Sequence, residues 1–191
     1  MRHFLILFDN IPIDKASLKA GFNSPELVTA CRCINVGLFI SGNLRRDVTI
    51  SIALGAPHDL QIISFPGDTL RRVSPDERSI SFFLFKSIKI STELLHNTSK
   101  TLDNGIIIQR MNINDIFGTV SPNNFIVAKE NEQKTIDYLG TDVLLFYDNR
   151  VYRTPLISSE LLNYRTVTRP PHPERFILDI NRAVDNAQEN T

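Results

Sequence analysis

The fold of this chain is set by Leu27–Ser79, which reads LVTACRCINVGLFISGNLRRDVTISIALGAPHDLQIISFPGDTLRRVSPDERS. The stretch opens inside a predicted helix. Its start is indicated by Ser24 and Pro25, because the serine can cap free amides and the proline suits the first turn. Apolar side chains then recur at helical spacing as far as Leu38, and Gly42 is predicted to end the helix.

The segment Val48–Leu54 (VTISIAL) carries small or apolar residues at every position. A strand covered on both faces is typical of the centre of an α/β sheet, so we predict a central strand here. Farther on, the turn sequence PGD separates Gln61–Phe65 from Thr69–Val73. This pattern predicts a small hairpin.

A second helix is predicted to follow that hairpin. Ser74 and Glu77 have the spacing of a capping box, and Pro75 would be the first helical residue. Apolar residues at helical spacing carry the helix to about His96. The residues Ser99–Asn104 then read as a turn.

Outside these elements, apolar runs between polar turns predict five more strands: Arg2–Phe8, Gly105–Gln109, Asn124–Lys129, Asp142–Tyr147 and Arg165–Thr168. Helical spacing predicts three more helices: Ile113–Phe117, Ser158–Tyr164 and a final one from Pro173 to about Ala187. Strands that alternate with helices indicate an α/β fold with a mainly parallel sheet flanked by helices. We expect one domain over residues 1–187, with a loop at Ile11–Phe22 and a frayed tail at 188–191.

The composition narrows the classes of function and site. The formal net charge of the 191 residues is zero, so binding to a polyanion requires arginines or lysines clustered on one face. Cys31 and Cys33 point in different directions from a helix, so we expect no disulfide, and free thiols suit a reducing cytoplasm. The chain has no second cysteine pair and no pair of histidines at a metal-binding spacing, so we predict no metal site. Because no signal peptide and no apolar run of membrane length is recognisable, we expect a cytoplasmic protein without a membrane span.

Five arginines flank the ends of elements that are predicted to be neighbours: Arg45, Arg46, Arg71, Arg72 and Arg78. Guanidinium groups match phosphate oxygens in two-point hydrogen bonding. Gathered on one rim, these side chains would bind the backbone of an RNA. The alternative is that the arginines near the second helix only form surface ion pairs with Asp76 and Glu77.

Asp47 follows the first arginine pair at the start of the predicted central strand. A carboxylate with a raised pKa in a cleft can act as a general base, so Asp47 is the candidate catalytic residue. The alternative interpretation is an ion pair with Arg45 or Arg46 and no catalytic role.

Several motifs occur together within Leu27–Ile88: a C-R-C-x-N helix, an R-R-D-V strand start, an L-G-x-P turn, a G-x-x-L-R-R segment and a P-D-E-R-S helix start. In this order they resemble the archaeal tRNA (pseudouridine54-N1)-methyltransferases of the SPOUT superfamily, which act on the T-loop of tRNA. The resemblance implies a C-terminal trefoil knot, a rare exception to unknotted topology. It also implies a homodimer, S-adenosylmethionine bound in the knot, and an arginine rim that faces tRNA.

The C-terminal third departs from the family pattern. The places that the resemblance assigns to cofactor binding are Phe146, Tyr147, Asp148, Thr168, Arg169 and Phe176. The family has glycines in the loops here, and glycine permits close approach of a ligand to the backbone. Tyr147 and Arg169 instead add bulk where the resemblance places adenosine, and Phe176 replaces a family cysteine.

The chain agrees with the family pattern over Leu27–Ile88 but departs from it in the C-terminal third, so two functional hypotheses follow. The preferred hypothesis is a binding-only relative, a pseudoenzyme that keeps the RNA rim and the dimer face but has a degenerate methyl-donor site. Its partner would be tRNA or another structured RNA, a ribosome, or an active enzyme. The alternative is an active tRNA methyltransferase with a rebuilt S-adenosylmethionine pocket, in which the target base leaves its stack.

Overall fold

The computed structural model describes residues 1–134, 142–151 and 164–189. Ten strands lie within these ranges: β1 (Arg2–Phe8), β2 (Phe39–Ile40), β3 (Asn43–Leu44), β4 (Val48–Leu54), β5 (Leu60–Pro66), β6 (Thr98–Thr101), β7 (Ile107–Met111), β8 (Phe125–Lys129), β9 (Val143–Asp148) and β10 (Arg165–Thr168). The α-helices in the same ranges are α1 (Lys15–Ala20), α2 (Pro25–Leu38), α3 (Glu77–Glu93), α4 (Ile113–Gly118) and α5 (Pro173–Glu189).

An eight-stranded sheet runs in the order β10-β8-β9-β1-β4-β5-β7-β6. The first five strands are parallel, and the last three extend the sheet with antiparallel pairings. The predicted α/β class, with a parallel sheet flanked by helices, is confirmed. The antiparallel extension was not predicted. Most of the segment between β9 and β10 lies outside the described residues, so the C-terminal knot stays a prediction.

The strand β1 separates two cores because its side chains alternate between the two faces of the sheet. Phe4 and Ile6 belong to the core that α2 and α5 cover, whereas Leu5 and Leu7 lie in a second cluster with Phe117 of α4. Each of these five side chains is at most 2% exposed. The first strand and the last helix thus share one core, which brings α5 towards the start of β4.

The predicted start of α2 is confirmed, because Ser24 Oγ accepts a hydrogen bond of 3.2 Å from the amide of Leu27. Its predicted end is wrong: the helix stops at Leu38, and Gly42 instead lies in the turn of the β2–β3 hairpin with a φ of +74°. Glycine adopts this left-handed conformation without the steric penalty of a Cβ. The next strand, β4, is buried at every position, as the sequence predicts.

The predicted hairpin across the PGD turn is wrong. β5 ends at Pro66 and pairs with β4 and β7, and Thr69–Val73 forms no strand. Gly67 lies so close to the segment between β3 and β4 that an added Cβ would be 1.9 Å from the carbonyl oxygen of Arg45. The chain therefore leaves the sheet at this glycine, and the hairpin partner of β5 is β4.

The predicted capping box of the second helix is also wrong. Asp76 caps α3, because its Oδ1 accepts a hydrogen bond of 2.8 Å from the amide of Ser79. The amide of Ser74 donates to the hydroxyl of Ser79 instead of belonging to the helix. The helix covers Glu77–Glu93 and ends before the predicted boundary near His96.

Four of these elements were missed: α1 within a predicted loop, the short hairpin strands β2 and β3, and β6. The predicted turn Ser99–Asn104 is wrong in its first half, because β6 extends through Thr101. The remaining predicted strands and the helices α4 and α5 are confirmed, although α5 runs to Glu189 rather than to about Ala187. The predicted helix Ser158–Tyr164 lies outside the described residues except for Tyr164. Both cysteines are free, as predicted, and both are buried. In the ranges that the structure describes, no helix is long and apolar enough to cross a membrane.

Candidate RNA-binding surface and cofactor region

Arg45 already has a charged partner. Its Nη1 and Nη2 donate hydrogen bonds of 2.7 and 2.6 Å to the two carboxylate oxygens of Asp185 on α5. The arginine side chain is only 14% exposed, and these hydrogen bonds lower the pKa of Asp185. Arg45 therefore ties the chain before β4 to the C-terminal helix, and it would have to leave this pair to bind a phosphate.

Arg46 is exposed but is held by backbone rather than by a carboxylate. Its Nη1 donates to the carbonyl oxygens of Gly67 and Asp68 at 3.0 and 3.3 Å. The two members of the first arginine pair thus have different surroundings. Arg46 keeps donors directed at solvent, because only one of its terminal nitrogens is engaged within the described residues.

The other three arginines, Arg71, Arg72 and Arg78, are all exposed. Within the described residues, no hydrogen bond or ion pair of their side chains is found. The predicted alternative of local ion pairs does not form: Asp76 caps α3, and a carboxylate oxygen of Glu77 accepts a hydrogen bond from Asn23 at 2.5 Å. These three guanidinium groups can therefore meet an external anion without breaking an existing contact.

Asp47 pairs with Arg2 of β1, not with Arg45 or Arg46. Its Oδ2 accepts a hydrogen bond of 2.6 Å from Arg2 Nη2, and the carboxylate side chain is 53% exposed. The other terminal nitrogen of Arg2 donates to Asn181 Oδ1 of α5 at 2.8 Å, in a buried position. The alternative interpretation of Asp47 predicted an ion pair, which forms, but it named Arg45 or Arg46 as the partner instead of Arg2.

Three of the predicted cofactor residues meet at the ends of β9 and β10. Tyr147 is fully buried, and its hydroxyl donates a hydrogen bond of 2.7 Å to the carbonyl oxygen of Pro170. The guanidinium carbon of Arg169 lies 4.2 Å from the centre of the Tyr147 ring. The ring of Phe176 is 5.6 Å from that of Tyr147. We call Tyr147, Arg169 and Phe176 the stacked cluster.

The other predicted cofactor residues are placed differently. Phe146 points to the opposite face of the sheet, where its ring is 5.4 Å from that of Phe117. Asp148 holds Arg150 through two hydrogen bonds of 3.0 and 2.9 Å, which raise the pKa of the arginine. Thr168 donates its hydroxyl to the carbonyl oxygen of Glu132 at 2.9 Å. The structure thus unites the stacked cluster but separates Phe146 from it.

A cavity of about 330 Å³ lies beside the stacked cluster, between β10 and α5. Its walls are mostly apolar, with Val167, Pro170 and Ile180 among them, and its charged members are Lys134 and Asp179. Sequence reasoning missed both charged residues. The apolar spacing of Phe176, Ile180 and Ala183 was visible, but apart from the place assigned to Phe176 it was used only to predict the final helix.

Comparison with known proteins gives the family. The model of a family described as "putative SAM-dependent RNA methyltransferase" matches residues 1–139. The chain belongs to this family. The stacked cluster lies beyond the matched residues, in the part where the sequence departs from the pattern.

Curated relatives are tRNA (pseudouridine(54)-N(1))-methyltransferases of archaea. The protein of Methanococcus aeolicus is 38% identical over 121 residues, which are 63% of this chain and 53% of that protein. The protein of Haloferax volcanii is 31% identical over 117 residues, 58% of this chain and 56% of that protein. The chain therefore spans about half the length of the curated relatives that it matches.

A solved structure has the same fold. It is the crystal structure of Archaeoglobus fulgidus Nep1 bound to S-adenosylhomocysteine, which covers 97% of this chain and 98% of that chain with a TM-score of 0.54. The sequence identity is 9%, so the likeness concerns the fold alone.

Proposed function

We propose that this chain is an RNA-binding member of the family that has lost the methyl-donor site. Its partner would be tRNA, the substrate that the names of its relatives print, or another structured RNA. The observation that carries the RNA-binding half of this proposal is the set of free guanidinium groups at Arg71, Arg72 and Arg78. Such groups bind phosphate oxygens with little structural cost, because no existing ion pair must break.

The stacked cluster supports the loss of the donor site. S-adenosylmethionine needs a pocket that admits an adenine ring and places polar groups opposite its charged end. At the ends of β9 and β10, the Tyr147 ring and the Arg169 guanidinium stack on each other at the place that the resemblance assigns to adenosine, and the Tyr147 hydroxyl is bonded to Pro170. The described residues at the places assigned by the resemblance therefore do not fit the cofactor.

A second candidate function is favoured by the neighbouring cavity. Its volume of about 330 Å³ lies within the range of small-molecule sites. An active methyltransferase would use this rebuilt pocket for S-adenosylmethionine. Asp47 would then be the residue to test as a proton acceptor or as a group that orients the base, since its carboxylate is half-exposed and held by Arg2.

The assembly, topology and location are also proposals. We expect a homodimer, with a ribosome or an active enzyme as further possible partners, in the cytoplasm where tRNA is modified. A C-terminal trefoil knot is supported by the path of α5, which leads from the edge strand β10 back to α2 and the core beside β1. Sedimentation measures the dimer, and an experimental structure traced through residues 130–172 tests the knot.

Calorimetric titration with S-adenosylhomocysteine separates the two functions. The proposal expects no heat of binding at millimolar ligand, because the stacked cluster closes the site. Binding in the micromolar range would overturn the loss of the donor site and favour the active enzyme. A tRNA methylation assay on the same preparation should then give transfer that Asp47→Asn abolishes.

A second experiment tests RNA binding. The double variant Arg71→Ala/Arg72→Ala should weaken the binding of a tRNA transcript and lower the salt slope by about 2, since each phosphate contact contributes about 0.9. Lys86→Ala/Lys89→Ala is the matched control, because it removes two exposed cations from the same region of the chain. Equal loss in both variants would refute a specific role for the arginines.

A further inference from the structure

A groove between α1 and α3 has no role in the function proposed so far. Its volume is about 430 Å³. The apolar part of its lining comprises Leu18 of α1 together with Phe82 and Phe85 of α3. Phe82 is 55% exposed, although an aromatic ring of this size is normally more deeply buried.

The apolar floor of this groove is bordered by cations. Lys15 and Lys19 stand one turn apart on α1, and Arg78 stands one turn before Phe82 on α3. Asp76 is the acidic residue of the lining, and its carboxylate is engaged as the cap of α3. Within the described part of the chain, no hydrogen bond or ion pair involves the side chains of the three cations. The lining therefore carries three cations against the one carboxylate of Asp76, and none of the three cations is ion-paired within the described residues.

The shape and charge of the groove fit one kind of occupant. Unpaired nucleotides present a phosphate and a flat base together, and proteins bind them with cations and exposed aromatic rings. The Phe82 ring is also braced, because it contacts the Phe83 ring edge-on at a centroid distance of 5.4 Å and an angle of 75°. Bracing keeps the exposed face of Phe82 available for stacking at a lower entropic cost.

We infer that this groove binds an unstacked nucleotide of a single-stranded RNA segment, with the base on Phe82 and the phosphates between Lys15, Lys19 and Arg78. The inference rests on the proposed RNA-binding function, because Arg78 belongs both to the groove and to the free arginines. An RNA held by Arg71 and Arg72 would reach the groove along α3. The chain would thus recognise a looped or open region of its RNA rather than a continuous duplex.

The test uses the full chain, a tRNA transcript and a short single-stranded oligouridylate, with binding followed by fluorescence anisotropy. Phe82→Ala should weaken both affinities about tenfold, since stacking on an aromatic ring contributes roughly one to two decades in binding. Phe82→Tyr should bind like the wild type, and Phe82→Leu should resemble the alanine variant because it lacks a π face. Phe22→Ala is the matched control, since Phe22 is 77% exposed and does not line the groove.

A second pair of variants tests the cations. Lys15→Ala/Lys19→Ala should lower the salt slope for oligouridylate by about 1.4, because each contact to single-stranded RNA contributes about 0.7. The control Lys86→Ala/Lys89→Ala should leave this slope unchanged.

Three results would overturn the inference. If the Phe82 and lysine variants bind both RNAs normally while Arg71→Ala/Arg72→Ala does not, the groove is not an RNA site and the proposed function stands. If a glutamate- and phenylalanine-rich peptide binds in a Phe82-dependent way and oligouridylate does not, the partner is an acidic peptide. If Phe82→Ala changes the sedimentation coefficient from dimer to monomer, the groove is an interface between two copies. Failure of the wild-type chain to bind any RNA would reject the proposed function itself.

Discussion

Replacing Arg2 by methionine should destabilise the protein much more than neutralising its acidic partner. The Arg2 side chain is 6% exposed and bridges Asp47 of the loop before β4 to Asn181 of α5. Asn181 is fully buried, and its amide nitrogen donates to the Gly37 carbonyl oxygen at 3.3 Å. Arg2 thus connects the first strand to the last helix through a polar network that is buried at Asn181 and half-exposed at Asp47.

The expected magnitude follows from the two contacts. Loss of the charged hydrogen bond leaves Asn181 Oδ1 buried and unpaired, which costs about 2–3 kcal/mol. The bond to Asp47 adds only about 0.5 kcal/mol, because that carboxylate is half-exposed and regains water. Removing a buried guanidinium also relieves its desolvation, which offsets part of the loss. We therefore expect Arg2→Met to cost about 2–3 kcal/mol net, or roughly 5–10 °C in Tm.

Urea titration followed by far-ultraviolet circular dichroism at pH 7 measures this cost, provided that the m-value stays constant. Asp47→Asn is the matched control and should lose less than about 1 kcal/mol, as exposed ion pairs do. The reasoning is refuted if Arg2→Met loses less than about 0.5 kcal/mol. It is equally refuted if Asp47→Asn loses as much as Arg2→Met, because the buried bond to Asn181 would then not be the main contact.

Three further predictions concern a close contact, a carboxylate and a thiol. Gly67→Ala should lower the free energy of unfolding by about 3 kcal/mol or more in urea titrations, because the new Cβ would overlap the Arg45 carbonyl. Gly118→Ala is the control and should be neutral, because nothing lies within 4 Å of its Cβ. Equal effects of the two variants would contradict the clash. Asp185→Asn should cost about 1 kcal/mol at pH 7. Because Arg45 lowers the pKa of Asp185, its stabilisation is present above the unfolded pKa of about 3.9 and is lost as the pH falls through the folded value. A cost of Asp185→Asn that does not decrease as the pH is lowered below about 3.9 would refute the assignment. Burial, followed by the charge of Glu77, raises the pKa of Cys31 to about 12. Iodoacetamide at pH 8 should therefore alkylate Cys31 in the folded protein on the order of a thousandfold more slowly than in the protein unfolded by urea. Comparable rates in the two states would show that the thiol is accessible.

Local signals in the sequence predicted the parts of the fold that local physics controls. The serine at the start of α2 and the run of small or apolar residues in β4 were sufficient, because capping and burial act within one element. The start of α3 was misplaced since two capping residues, Ser74 and Asp76, compete within three positions. The loop that precedes α3 is also held by a distant contact that the local sequence does not show, because the backbone amide of Arg71 donates to the carbonyl oxygen of Asn104 at 2.9 Å.

Long-range pairing was beyond local reasoning. The turn sequence PGD is a hairpin signal, yet Gly67 is needed because the backbone of Arg45 approaches it closely. The exposed strand β6 has the composition TSKT, which carries none of the apolar alternation by which strands are recognised. Its place at the sheet edge follows from pairing with β7, not from its own residues.

The candidate site was predictable as a set of residue types but not as a set of contacts. The RNA-binding role of the five arginines stays a prediction, and the carboxylate that engages Arg45 comes from a helix at the other end of the chain. The partner of Asp47 likewise comes from β1 rather than from its neighbours. The bulk of Tyr147 and Arg169 was visible in the sequence, whereas their mutual stacking requires the parallel alignment of distant strands.

The position of β1 has a consequence for how the chain is made. β1 is synthesised long before β9, yet it pairs with β9 along nearly its whole length. Until β9 has left the ribosome, the nascent sheet keeps an open edge, and Phe4 lacks the ring of Phe176 that later lies 6.1 Å away. Open edges and uncovered aromatic side chains are the surfaces by which incomplete chains aggregate. We therefore expect the first strand to be exposed to aggregation until β9 and α5 have emerged.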